Sequence, residues 1–98
     1  MSLSKKNIYK HKEGIVVTPL EDFFLIFPNH TDEINKPYLC KLNHSAHAMF
    51  TCIDGKSTVA DIIKLLEEKY DAPHEEIESD FLELLVYLEE KNIITKLI

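Results

Sequence analysis

Residues 38–63, YLCKLNHSAHAMFTCIDGKSTVADII, pass directly from an extended segment into two helices and thereby decide the fold. The side chains of residues 38–42 favour a β-strand. Asn43 follows as a suitable helix N-cap, because its side-chain oxygen can accept a hydrogen bond from a free N–H group of the first turn. Apolar residues then recur at helical spacing, which predicts an amphipathic helix whose buried face carries Ala46, Met49, Phe50 and Ile53.

Two further helices are indicated after a turn at Gly55, which can adopt the left-handed conformation that ends a helix. Thr58 and Asp61 form a capping-box pattern for the second helix, with an acid in place of the usual Glu or Gln. Pro73 suits the first position of a third helix, where no N–H partner is needed. The main apolar stripe of this helix comprises Ile77, Phe81, Leu84, Leu85 and Leu88, and Leu82 and Val86 form a second apolar row.

The segment before residue 38 predicts two more strands. Residues 1–13 are polar, rich in lysine and without periodicity, so we expect a flexible tail followed by a single domain over residues 14–98. Residues 15–18 form a β-branched run, and residues 23–27 are apolar on both faces, which is typical of the central strand of a sheet. The β-prone residues 93–98 either pack on the body of the domain, pair with a strand or mark a truncated chain end.

This order of elements resembles the PqqD family. The resemblance is carried by the strand ending at Leu42-Asn43, the small-residue helix, Asp54-Gly55, residues 58–62 and the acidic helix opened by Pro73, and it covers roughly residues 15–94. It implies an α+β fold, a three-stranded antiparallel sheet followed by three helices in a winged-helix-turn-helix-like arrangement. These proteins, also called RiPP recognition elements, are small and bind peptides.

The resemblance also implies a function and a site. The chain would be a non-catalytic peptide chaperone that binds the leader of a ribosomally synthesised precursor peptide. It would present that leader to a radical SAM or other peptide-modifying enzyme, in the synthesis of pyrroloquinoline quinone (PQQ) or of another modified peptide. In the family the peptide adds as a strand to the third strand and lies against the last helix, which corresponds here to Tyr38, Leu39, Cys40, Lys41, Leu42, Phe81, Leu82, Leu85 and Val86.

The net charge of −6 is concentrated on the third predicted helix, where residues 74–92 hold seven carboxylates against one lysine. Such a helix repels phosphate backbones and attracts basic peptides, although a charged helix face is often simply solvated. The spacing around Gly55 is also that of a helix-turn-helix. A winged-helix DNA-binding regulator is therefore the alternative function, and the charge argues against it. A scaffold domain, or one that dimerises through Leu82 and Val86, stays open as a third possibility.

No complete set of catalytic or metal-binding residues occurs in the sequence. Cys40, His44 and His47 lie close together, but a fourth zinc ligand at a usual spacing is missing, and both histidines fall on the outward side of their helix. Cys40 and Cys52 lack an identifiable base, and we expect free, mostly buried thiols. The chain is therefore predicted to have no enzymatic activity, no metal and no cofactor.

Composition bounds the location and the partners. No apolar run approaches the roughly 20 residues that cross a bilayer, and the polar amino terminus lacks a signal-peptide core. We expect a cytoplasmic protein, a monomer or weak homodimer, that binds neither membrane nor nucleic acid.

Overall fold

A computed structural model describes residues 4–27 and 40–98 of the chain. Within these ranges the elements are β1 (Tyr9–His11), β2 (Val16–Pro19), β3 (Phe24–Phe27), β4 (Cys40–Leu42), α1 (His44–Thr51), α2 (Val59–Lys69), α3 (His74–Glu90) and β5 (Ile94–Lys96). Strands β2, β3 and β4 form an antiparallel sheet in that order, with β3 in the centre as predicted. Three helices follow this sheet, so the predicted α+β fold is confirmed. Tyr38 and Leu39, at the start of the predicted third strand, lie outside the described residues.

The helix starts predicted from the sequence are present. The Asn43 side chain accepts a hydrogen bond of 2.7 Å from the Ala46 N–H and caps α1. Thr58 and Asp61 complete a capping box at α2, with bonds of 3.1 and 3.2 Å. Pro73 differs from the prediction: it is the N-cap of α3 and not its first helical residue, because its ψ of 145° keeps it extended.

The core lies between the sheet and the helices. Ile26 of β3, Leu66 of α2 and Phe81 of α3 have no exposed side-chain surface. The three residues come from three different elements, so the central strand and the two longer helices share one apolar interior. Within the described residues, no helix is long and apolar enough to cross a membrane.

The amino-terminal segment differs from the flexible tail that we expected over residues 1–13. Strand β1 pairs antiparallel with β5, and Tyr9 is only 3% exposed. The Asn7 carbonyl accepts a hydrogen bond from the Val59 N–H at the start of α2. Pairing with β5 and burial of Tyr9 hold this segment against the body of the domain, which is the pairing alternative left open for residues 93–98. Residues 1–3 lie outside the described residues.

Candidate functional site

The hairpin between β2 and β3 determines which backbone groups of the sheet face its edges. The Leu20 N–H donates to the Phe23 carbonyl at 2.8 Å, so these two residues form a hydrogen-bonded pair. Hydrogen-bonded and non-bonded pairs alternate along an antiparallel ladder. The N–H and C=O groups of Phe24 and Ile26 therefore point away from β2 and toward β4.

The same alternation places a free donor and acceptor on β4. Phe24 is opposite Leu42, and Ile26 is opposite Cys40, so Cys40 and Leu42 use their backbone groups to bond β3. The N–H and C=O of Lys41, between them, must point to the other side. Within residues 4–27 and 40–98 no strand pairs with that side of β4. Lys41 therefore presents its backbone at an open sheet edge.

A groove of about 760 Å³ lies beside this edge, between β4 and the start of α1 on one wall and α3 on the other. Its apolar lining includes Met49 of α1 and Leu84, Val86 and Tyr87 of α3, and its α3 rim carries Asp80, Glu83 and Glu90. Residues three, four and seven positions apart share one helix face, which explains why this stretch of α3 lines a single wall. The groove thus has an apolar surface with an acidic border.

Cys40 and Tyr87 connect the two walls beneath the groove. The Cys40 thiol is 1% exposed, and burial raises its pKa to about 11, although the Lys91 charge and a hydrogen bond with the Tyr87 side chain act in the opposite direction. The thiol is therefore protonated at neutral pH. Its contact with Tyr87 fixes the edge strand against α3.

The carboxylates of α3 have different surroundings along the helix. Glu78 accepts from Lys5 Nζ at 2.5 Å and faces His74 Nε2 at 3.4 Å, and His74 also contacts Glu67 of α2. Hydrogen bonding by Lys5 lowers the pKa of Glu78. By contrast, no ion pair within the described part of the chain involves Asp80, Glu83 or Glu90. The groove border is therefore a source of negative potential.

The structure distributes the predicted site residues over three environments. Cys40, Phe81 and Leu85 are buried in the core and lie outside the groove lining, whereas Leu42 is buried and also lines the groove. Leu82 is half-buried against that core and is not part of the groove lining, whereas Val86, at 44% exposure, and Lys41 do line it. Sequence reasoning missed Met49, Asp80, Glu83, Leu84, Tyr87 and Glu90 as groove residues.

Of the two histidines predicted to point outward, His44 is exposed as predicted, but His47 is half-buried. His47 stacks on Phe24 of β3, with ring centroids 3.6 Å apart, and burial lowers its pKa, assisted by the nearby His44 and His11. His44 is exposed and contacts the same Phe24 ring edge-on. Among the residues that the structure describes, no group of three or more His, Cys, Asp or Glu side chains could hold a metal ion.

A small α+β domain with an open sheet edge beside an apolar groove has the geometry that strand addition by a peptide requires. The model of the family described as "Coenzyme PQQ synthesis protein D (PqqD)" matches residues 34–94. The chain therefore belongs to the PqqD family, whose members are non-catalytic accessory proteins, and membership implies involvement in PQQ biosynthesis. Comparison with curated proteins and with solved structures gives no match.

Proposed function

We propose that this domain binds the leader of a ribosomally synthesised precursor peptide as an additional strand on β4 and presents it to a modifying enzyme, such as a radical SAM enzyme. The observation that carries the proposal is the outward backbone of Lys41 beside the groove. Backbone hydrogen bonds to this edge give register and affinity without reading sequence, and pockets for alternate side chains supply selectivity. Family membership supports a partner from a peptide-modifying pathway.

The other edge of the sheet is less suited to accept a strand. Pro19 is opposite Phe24, which bonds β4, so the nitrogen of Pro19 faces the outer edge of β2. Proline has no N–H to donate, and it is typical of protected edges. The outer edge of β2 therefore offers the N–H of Val17 but loses the donor at Pro19, whereas Lys41 offers a donor beside the groove.

The groove determines the side chains that fit. A peptide strand beside β4 directs alternate side chains to the face of Cys40 and Leu42, where α3 and α1 supply apolar contacts. We therefore expect a leader with Leu, Ile or Phe at alternate positions and basic residues nearby. An interface of this size is at the small end of the known range, so a Kd of about 1 μM or somewhat tighter, about −8 to −10 kcal/mol, is expected.

The acidic border also supports a peptide over the alternative of duplex DNA. Asp80, Glu83 and Glu90 would lie against phosphates if α3 approached a DNA groove. Phosphate neutralisation by Lys and Arg supplies most non-specific DNA affinity, and carboxylates oppose it. A gel shift with random duplex at micromolar protein and physiological salt is accordingly expected to show no complex.

The edge itself can be tested with two substitutions at one position. Lys41→Pro removes the outward donor, and Lys41→Ala removes the side chain while keeping the N–H. The leader of any short precursor peptide that is encoded next to the gene is labelled, and its binding is followed by fluorescence anisotropy. We expect Pro to weaken binding at least about tenfold and Ala about threefold or less, with both variants still folded by circular dichroism. Equal affinity of the Pro variant and the wild type would contradict strand addition at β4.

A further inference from the structure

The α3 wall of the groove carries its carboxylates at two separated places. Asp80 and Glu83 lie at one end, and Glu90 lies at the other. At a rise of about 1.5 Å per residue, Glu90 is about 10 Å along the axis from Glu83 and about 15 Å from Asp80. The groove surface between these two places is apolar and is formed by Leu84, Val86 and Tyr87.

A peptide in an extended conformation has a matching repeat. Its residues rise about 3.4 Å each, and only alternate side chains point to one face. Two side chains at positions j and j+4 on the same face are thus about 14 Å apart, with the side chain of j+2 between them. For a strand that runs along the α3 axis, this separation lies within the range that the two carboxylate places of α3 span, and position j+2 falls opposite the apolar wall.

Two lysines lie near the groove, and neither forms an ion pair with its carboxylates within the described residues. Lys41 lines the groove on the wall opposite α3, and its Nζ lies 4.4 Å from the centre of the Phe23 ring. Lys91 follows Glu90 in the chain, and its Nζ lies 5.7 Å from the centre of the Tyr87 ring. Within the described residues no lysine or histidine side chain forms an ion pair with Asp80 or Glu83, so a basic side chain of the ligand can pair with them.

We propose that the groove selects a peptide strand with the pattern cation-x-apolar-x-cation, in which Lys or Arg at j and j+4 face the two carboxylate places and an aliphatic side chain at j+2 contacts Leu84, Val86 and Tyr87. This inference rests on the proposed strand addition and specifies its substrate class. It assigns Asp80, Glu83 and Glu90 the role of specificity determinants, which act on which peptide binds and not on the stability of the fold.

Three capped probe peptides separate spacing from charge and composition. Thr-Lys-Thr-Leu-Thr-Lys-Thr has the proposed pattern, Thr-Thr-Lys-Leu-Lys-Thr-Thr has the same composition with both cations turned to the opposite face, and Thr-Glu-Thr-Leu-Thr-Glu-Thr reverses the charge. Titrations are followed by the amide shifts of the isotope-labelled protein. The first peptide is expected to bind at least about fivefold more tightly than its isomer at low salt, and this ratio is expected to approach one at 1 M salt.

A charge-reversed protein supplies a second readout. Glu90→Lys is expected to prefer a peptide in which one of the two lysines is replaced by glutamate, and the position of that glutamate gives the direction of the strand along β4. Equal binding of the two isomers, each with a shift at Lys41, would overturn the spacing rule while strand addition stands. The spacing rule is also wrong if the precursor peptide shifts the Lys41 amide signal and none of the probe peptides does. If neither the probes nor the precursor shift it, both the rule and the proposed function fail.

Discussion

The two ends of α3 use the same residue type in different ways. Near the start of the helix, Glu78 is tied to Lys5 of the amino-terminal segment and to His74, which also contacts α2. Along the groove, Glu83 and Glu90 have no ion-pair partner within the described residues. The helix is continuous, so the difference comes from what lies opposite each end. Packed elements surround one end, and an open sheet edge faces the other.

The largest expected effect separates the core side of α3 from its groove side. Phe81 is fully buried, so Phe81→Ala removes a core ring and is expected to lower the free energy of unfolding by about 3–5 kcal/mol. Val86 is 44% exposed, and Val86→Ala is expected to change the free energy of unfolding by less than about 0.5 kcal/mol. Chemical denaturation of both variants measures the difference. Similar losses for the two would show that Val86 is part of the core.

The next effect concerns binding. Val86→Glu places a charge on the apolar wall and is expected to weaken precursor binding at least about tenfold, with little change in Tm. Leu82→Glu is the matched control, because Leu82 is half-buried against the core and outside the groove lining. It is expected to lower Tm instead. Binding calorimetry and thermal unfolding of each variant test this prediction. Weaker binding by Leu82→Glu together with a lower Tm for Val86→Glu would place the groove on the Leu82 side of the helix.

A smaller effect tests the paired carboxylate. The pKa of Glu78 is lowered below its ordinary value of 4.5, first by the hydrogen bond from Lys5, so the ion pair contributes stability above this value that is lost as pH falls through the folded-state pKa. Glu78→Gln is expected to remove this part of the acid dependence and to leave peptide affinity unchanged. Glu83→Gln is expected to weaken peptide binding and to leave the acid dependence of stability unchanged. The free energy of unfolding of each variant is measured at several pH values between about 3 and 7, and its peptide affinity is measured at neutral pH.

The smallest effect comes from the ring stack on β3. Burial lowers the pKa of His47 below its ordinary value of 6.5, so the unfolded chain takes up the proton first and stability falls as pH drops below that value. His47→Gln is expected to remove this slope, and His44→Gln, which removes only a smaller contribution than burial, is expected to reduce it less. The dependence of Tm on pH between about 7.5 and 5, measured for both variants, tests this prediction. An unchanged slope in the His47 variant would assign the pH dependence to another group.

The sequence predicted those features that depend on neighbouring residues. Asn43, Thr58 and Asp61 cap helices through bonds within one turn, so their patterns were sufficient. The β1–β5 ladder could not be predicted in this way, since its two strands have three residues each and join Tyr9 to Lys96 across the whole chain. An isolated pair of such short strands has no periodicity to detect.

The groove was only partly predictable for a related reason. Helical periodicity shows which residues share a face, but it does not show which face another element covers. Leu82 and Leu84 are both apolar, and only the packing of β4 and α1 places Leu84 at the groove and Leu82 outside it. The open edge at Lys41 likewise depends on the register with β3, which three sequential strands do not specify on their own.

The most direct test of the central claim is an amide-shift map of the whole domain during titration with the precursor peptide. We expect shifts at β4, with the largest at Lys41, and along α3 from Asp80 to Glu90, while Glu78 and the β1–β5 ladder stay unmoved. Shifts confined to the amino-terminal segment, with β4 and α3 unchanged at saturation, would contradict it.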